Sequence, residues 1–145
     1  MKLKQKLINA IMKYGKKKTS EKNLLKCLKL IQKSSKKNHI NILKQAIINS
    51  TPTFKINKQS KKRGKKKFNQ EIPTFIRNDS LRIVFSINLL VFNSYKNQNP
   101  KTFHQKITEE ILMTFSNKNS KTIEQKTRLQ EQMIAQKRYL NNFRW

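Results

Sequence analysis

Lysine is the residue type through which this chain can do chemistry, and its lysines are unevenly placed. From Lys55 to Lys67, eight of thirteen residues are basic and none is acidic. They are Lys55, Lys58, Lys61, Lys62, Arg63, Lys65, Lys66 and Lys67. Like charges crowded in this way repel one another in water and gain energy only beside a polyanion. Lys outnumbers Arg 28 to 6 across the chain, which favours point-charge contact with phosphate over planar recognition of base edges. A solvated basic face is the bland alternative. It accounts for Lys4, Lys6 or Lys29, but not for residues 61–67, where nothing nearby offsets the charge. Phe54 and Phe68 flank the run and read as strand-packing residues rather than stacking platforms.

The other reactive side chains form no constellation. His39 and His104 have no carboxylate or thiol partner at motif spacing, so neither is assigned catalysis or a metal. Glu109 and Glu110 are adjacent in a helical stretch and point about a third of a turn apart. They are expected to balance Lys101 and Lys106, with Lys106 and Glu110 at the favourable spacing of four. Cys27 is the only cysteine, which excludes an intramolecular disulfide and suggests no thiolate metal site. With only Gly15 and Gly64 as glycines, no phosphate loop or dinucleotide fingerprint can be built. No catalytic residue, metal or cofactor is expected, and the chain is read as a non-enzyme.

A basic tip needs an element that holds it out. Phe54 and Ile56 alternate with Lys55 and Asn57, and Phe68 and Ile72 share a parity on the far side. This pattern predicts a β-hairpin over about 53–76, with a projecting loop longer than a two-residue turn. Pro73 marks an edge strand or its end. Around the hairpin the period is helical. Leu3, Leu7, Ile8, Ile11 and Met12 predict a first helix, with Gly15 as its C-cap. The same basic, amphipathic stretch has the look of a transit peptide, but it is poor in Arg and Ser and runs into the next element, so a structural helix is preferred. Thr19 or Ser20 caps a second helix with Glu21 in its first turn and Leu24, Leu25, Leu28 and Ile31 inward. A third runs from about Asn38 to Asn49 with Ile40, Leu43, Ile47 and Ile48 inward. Asp79 or Ser80 caps a fourth, Leu81 to about Tyr95, apolar nearly all round and therefore placed in the middle of the bundle. Pro100 opens a fifth, with Phe103, Ile107, Ile111 and Phe115 along one side. Ser120 caps a last helix, about 120–142, whose few apolar residues suggest docking on a partner.

The expected architecture is mostly α: one domain over 1–145, a bundle of about six helices with an extended basic β-hairpin between helices three and four. The net charge of +27 is extreme for 145 residues. Residues 1–70 hold 22 Lys or Arg and one acid, whereas residues 71–145 hold 12 and six, so the first half is the better anion-facing side. The apolar run from Ile83 to Phe92 is broken by Ser86 and Asn88 and is too short to span a bilayer. The 28 Lys, 16 Asn and 16 Ile have A/T-rich codons, the mark of an A/T-biased genome such as an organelle's. The C-terminus, with Arg138, Phe143, Arg144 and Trp145, is expected to contact RNA or a partner, since exposed aromatics mark interaction sites.

The junction Gly15-Lys16-Lys17-Lys18-Thr19-Ser20-Glu21 resembles the Gly-Lys-Lys-x-Thr-Ala-Glu junction of helices one and two in the small-subunit ribosomal protein seven family. Pro52-Thr53-Phe54-Lys55-Ile56 is similar to that family's Pro-Thr-Val-Glu-Val strand, Ile72-Pro73 with Arg77 to its returning Val-Pro-x-x-x-Arg, and Arg144-Trp145 to its closing Arg-Trp. Order and spacing fit over nearly the whole chain. The chain departs from the family in lacking its basic N-terminal arm, its Gly-Gly at the hairpin and its Arg-Trp inside helix four. Asn142, Glu131 and Lys137 stand where His, His and Asn are usual.

The resemblance implies a structural constituent of the small ribosomal subunit that binds the 3′ major domain of its rRNA and organises the head. It places the hairpin near the exit-site tRNA and the mRNA path, beside neighbouring head proteins and away from any membrane. The rRNA-binding residues it and the charge pattern point to are Lys16, Lys17, Lys18, Lys55, Lys58, Lys61, Lys62, Arg63, Lys65, Lys66, Lys67, Arg77, Arg82, Arg138 and Arg144. Phe143 and Trp145 make the C-terminal contact. Because the matching first helix begins almost at Met1, no cleaved presequence is expected. A mitochondrial form is the first expectation and a plastid form the second. The alternatives are a free nucleic-acid-binding regulator using a basic helical module and a basic membrane-surface protein. The long Lys-rich tip without a clear recognition helix argues against the former, and the apolar fourth helix against the latter.

Overall fold

Apolar residues three and four apart set the first three helices of the computed structural model, which describes residues 3–35, 38–63, 66–118 and 120–136. α1 (Leu3–Ile11) buries Leu7, Ile8 and Ile11. α2 (Lys17–Ser34) buries Leu24, Cys27 and Ile31. α3 (His39–Ser50) buries Ile42, Leu43, Ala46 and Ile47. The chain then forms an antiparallel hairpin of β1 (Phe54–Arg63) and β2 (Lys66–Phe75), followed by α4 (Asp79–Lys96), α5 (Phe103–Ser116) and α6 (Lys121–Ala135). The expected mostly-α class, with a hairpin between the third and fourth helices, is the class observed.

The core is one cluster in which Ile31, Ile42, Ile87, Leu90 and Ile111 are almost wholly enclosed. Each such side chain contributes on the order of 2 kcal/mol by leaving water. α5 is the hub of this cluster, packing against α2, α3, α4 and α6. α4, expected in the middle of the bundle, packs against α1, α3, α5 and α6 and shares the centre with α5, but it is not apolar all round. Leu81 and Phe92 of α4 stay exposed, while its Ser86, Asn93 and Ser94 are buried. Burial of these polar residues is tolerated because each is hydrogen-bonded. Ser86 Oγ lies 2.5 Å from Ser50 Oγ, Ser94 Oγ donates to Leu90 O at 2.7 Å, and Asn93 Nδ2 donates to Thr122 Oγ1 at 3.1 Å.

Helix starts follow the residue that can satisfy free backbone N–H groups. Asn38 and Asn78 cap α3 and α4, each side chain accepting from the N–H two residues on, at 3.0 and 2.8 Å. Asn78 therefore replaces Asp79 or Ser80 as the α4 cap, its side chain reaching the free N–H first. Thr102 forms a capping box with Gln105 at α5, displacing Pro100, which precedes the helix by three residues. Ser120 caps α6 as expected. α2 begins at Lys17 with no side-chain cap. Ser20 lies inside its first turn, buried, and donates to Lys17 O at 2.7 Å, so Glu21 falls in the second turn. On α3 the inward stripe is Ile42, Leu43, Ala46 and Ile47, leaving Ile40 and Ile48 exposed. Ile42–Ala46 and Leu43–Ile47 form a four-residue-spaced double row, and at about 100° per residue Ile40 falls just beyond its edge and Ile48 further round on the same side.

Candidate nucleic-acid interface

The hairpin ladder is longer, and its loop shorter, than expected. Backbone pairing runs from Phe54 opposite Phe75 without interruption to Arg63 opposite Lys66. Only two residues, Gly64 and Lys65, lie between the paired ends, so the basic run belongs to the strands and not to a long loop. The ladder can continue through polar sequence because its bonds are made by backbone and not by side chains. Ten residues per arm give a reach of roughly 33 Å at about 3.3 Å per residue.

The register decides what this element can do. Lys62 is paired with Lys67 and Arg63 with Lys66, so the last two rungs carry four cations directly across from one another. Like charges placed opposite destabilise a sheet pair. Nearer the bundle a charge is balanced within the hairpin: Lys58 Nζ lies 3.2 Å from Glu71 Oε1. The electrostatic gain still to be made is therefore at the end of the ladder.

The other end is fixed. Ile76 N–H donates to Thr53 O at 3.0 Å, closing the base, and Pro52, Pro73 and Ile76 are buried. Phe54 and Phe75 pack edge to face with centroids 5.6 Å apart. Arg82 of α4 donates from Nε to Ile76 O at 2.6 Å, lies 3.5 Å from Asp79 Oδ1 and sits over the Phe75 ring at 4.9 Å. Its side chain is only 23% exposed. Among the residues expected to touch RNA, Arg82 is thus committed to the hairpin base. Lys55, Lys58 and Arg77 are exposed around that base. Lys6 joins them from α1, donating to Ser80 Oγ at 2.7 Å.

A second basic surface lies at the α1–α2 junction. Tyr14 and Gly15 both have positive φ, 51° and 71°, and Lys16 N–H closes the turn on Lys13 O at 3.0 Å. The left-handed conformation suits Gly15, which has no Cβ to clash. The turn delivers exposed Lys16, Lys17 and Lys18 as one cluster. Lys13, Tyr14 and Tyr95, none of them among the residues expected to touch RNA, meet here. Lys13 Nζ sits 3.7 Å from the Tyr95 ring centroid, and Tyr95 stacks on Phe103 at 4.3 Å. The signal available was the aromatic residue set inside Lys13-Tyr14-Gly15-Lys16. Tyr95 could not be placed beside it from sequence, being 81 residues away.

Lys61, Lys62, Arg63, Lys66 and Lys67 are placed by the backbone register of the ladder. Lys65, Arg138, Phe143, Arg144 and Trp145 lie outside the described residues, as does the end of the helix expected to reach residue 142.

The carboxylate pair divides differently from its expected role. Glu109 pairs with Lys101, but Lys106 donates to Asn97 O at 2.8 Å. Glu110 is 6% exposed and faces the start of α6, where unpaired N–H groups and a favourable helix dipole attract a carboxylate. Among the described residues no group of His, Cys, Asp or Glu is arranged to hold a metal ion, and no helix is long and apolar enough to cross a membrane. Cys27 is buried, with its thiol pushed up to about 11 by desolvation; such a thiol stays protonated and is a poor nucleophile.

Comparison with known proteins gives the family of the chain. Residues 1–137 match the family model of ribosomal protein S7p/S5e. The chain is 34% identical over 108 residues to the small ribosomal subunit protein uS7m of Schizosaccharomyces pombe, covering 74% of this chain and 39% of that protein. It is 28% identical over 110 residues to uS7c of Euglena longa, covering 76% and 59%. It is 28% identical over 141 residues to uS7 of Geobacter metallireducens, covering 97% and 85%. The chain thus spans about two fifths and three fifths of the first two relatives.

Proposed function

Because the chain belongs to the ribosomal protein S7p/S5e family, we propose that it is a structural, non-enzymatic constituent of the small subunit of an organellar ribosome. It binds small-subunit rRNA through the cationic end of the hairpin and the lysines of the α1–α2 junction, and it contacts neighbouring subunit proteins. The finer assignment is the 3′ major domain of the rRNA, with the protein organising the head and the hairpin reaching the exit-site tRNA and the mRNA path. Mitochondrial and chloroplast names among the relatives support an organelle; the mitochondrion is the first choice and the plastid the second.

The observation that carries this reading is the ladder register, which sets Lys62 against Lys67 and Arg63 against Lys66 at the end of a base-anchored hairpin. Such an arrangement costs energy in the free protein and is relieved by phosphate. The test is sedimentation of a tagged, full-length chain expressed in its own organelle. Migration with the small subunit, with rRNA cross-links in the 3′ major domain, is expected. A chain found only in the ribosome-free fraction overturns the reading.

A further inference from the structure

The α1–α2 junction borders an open pocket of about 250 Å³, lined by Lys13, Tyr14, Lys16, Asn23, Tyr95 and Phe103 among others. Three features of it are unusual together. Tyr95 is covered on one face by Phe103, with 17° between their planes, and carries Lys13 Nζ over its ring at 3.7 Å. Tyr14 is 95% exposed although its backbone is in the left-handed region, where bulky residues are rarely found. The cations Lys13 and Lys16 stand on the rim, with Lys17 and Lys18 following.

A folded chain gains nothing internally from a fully exposed ring on a strained backbone. Aromatic faces beside cations match one kind of ligand well: a planar π-system carrying negative charge. An unpaired nucleotide is such a ligand, because its base stacks on aromatic side chains while its phosphates meet lysines. Duplex RNA does not fit the same features, since its bases are already stacked on one another. Asn23 adds a side-chain amide to the pocket wall, able to hydrogen-bond a base edge.

We infer that this pocket receives one unpaired rRNA base, stacked against Tyr14 and against the face of Tyr95 that Lys13 Nζ covers in the free chain, with Lys13 moving off that ring to hold a flanking phosphate beside Lys16. The inference rests on the rRNA-binding reading above and adds to it a base-recognising site separate from the hairpin. Tyr14 and Tyr95 supply the stacking surface; the lysines supply the salt-dependent part of the affinity.

The probes are hexa-adenylate RNA and a hexamer of the same backbone with every base removed, titrated into the full chain at fixed salt. The natural chain should bind the base-bearing hexamer roughly tenfold tighter, the effect of one stacked base. Combined Tyr14→Ala and Tyr95→Leu changes should bring the two affinities within about twofold while leaving the abasic hexamer's affinity unchanged. Tyr14→Phe with Tyr95→Phe should keep the preference. If Tyr95→Leu lowers the helical circular dichroism, Tyr14→Ala alone decides, since its exposed ring supports no packing. Equal affinity of the natural chain for both hexamers overturns the base pocket, as does a preference that survives loss of both rings. Salt-dependent binding of both hexamers without preference removes the pocket alone; binding of neither removes the rRNA reading with it.

Discussion

The Glu110 carboxylate accepts hydrogen bonds from both the hydroxyl and the backbone N–H of Thr122, at 2.6 and 3.0 Å. The same Oε1 accepts from Ser120 Oγ at 2.8 Å, and Asn93 reaches Thr122 and Gln125 from α4. α6 has a single buried residue among those described, and it is this threonine. A helix nearly without an apolar face is therefore docked through a buried polar network. Glu110 takes up a free N–H at the helix start, where a negative charge is favoured by the peptide dipoles.

Replacing Glu110 should loosen α6 first. Glu110→Ala leaves the Thr122 N–H and two hydroxyls short of an acceptor in a buried place, a loss of about 2–4 kcal/mol. Glu110→Gln keeps one neutral acceptor and should cost less. Hydrogen exchange of the α6 amides, followed beside the thermal midpoint, checks this. Unchanged protection of α6 in Glu110→Ala would mean that the network is incidental.

Arg82→Ala should free the hairpin base while leaving the bundle folded. The substitution removes a 2.6 Å bond to Ile76 O and a cation above Phe75, together about 1–3 kcal/mol for a mostly enclosed side chain. Arg82→Lys should recover little, since an ammonium cannot reproduce the planar fork. Exchange rates of amides in 54–58 and 71–76 should rise by at least tenfold relative to those of α5. A uniform rise throughout the protein would contradict a local role.

The buried thiol of Cys27 gives a pH dependence of definite sign. Its folded-state pKa is raised from 9.0 to about 11 by burial, with the Thr108 hydrogen bond acting weakly in the opposite direction. The stabilisation is therefore complete below pH 9 and is lost as pH rises from about 9 through about 11, amounting to about 2–3 kcal/mol. Urea midpoints measured across this range should fall more steeply for the natural chain than for Cys27→Ala. Below pH 8, Cys27 should resist alkylation in the native protein and react once it is denatured.

Shortening the hairpin should separate folding from function. Replacing Ser60–Lys67 with an Asn-Gly turn removes no residue of the core cluster and takes away six cations. Helicity should be preserved. Affinity for rRNA should fall, and its log–log salt slope should become shallower by several units, about 0.7–0.9 per lost phosphate contact. The variant should still enter small subunits, more weakly, through the α1–α2 lysines. Unfolding, or complete exclusion from subunits, would make the hairpin scaffold or sole anchor. Unaltered reading-frame fidelity and tRNA release in such subunits would argue against its reaching the mRNA and exit-site tRNA.

Several things were legible in residue order alone because they rest on local periodicity. The helical spacing of Leu7–Ile11, Leu24–Ile31 and Ile107–Ile111, the two-residue alternation beside Lys55–Lys67, and the charge imbalance between halves each follow from neighbours a few positions apart. Those patterns fixed the class of fold and pointed to a polyanionic partner. Other matters depended on which surfaces meet in space. An apolar count placed α4 at the centre, and α5 shares that place with it; which residues of α4 turn inward was decided by its partners, since its buried serines and asparagine serve there once bonded. Glu110 read as a surface charge until the start of α6 was found against it, twelve residues later in sequence. Tyr14 and Tyr95, 81 residues apart, form one pocket only because α1 packs on α4. Local propensity determines what an element is, whereas burial, ion pairing and pocket formation are properties of pairs that only the tertiary structure brings together.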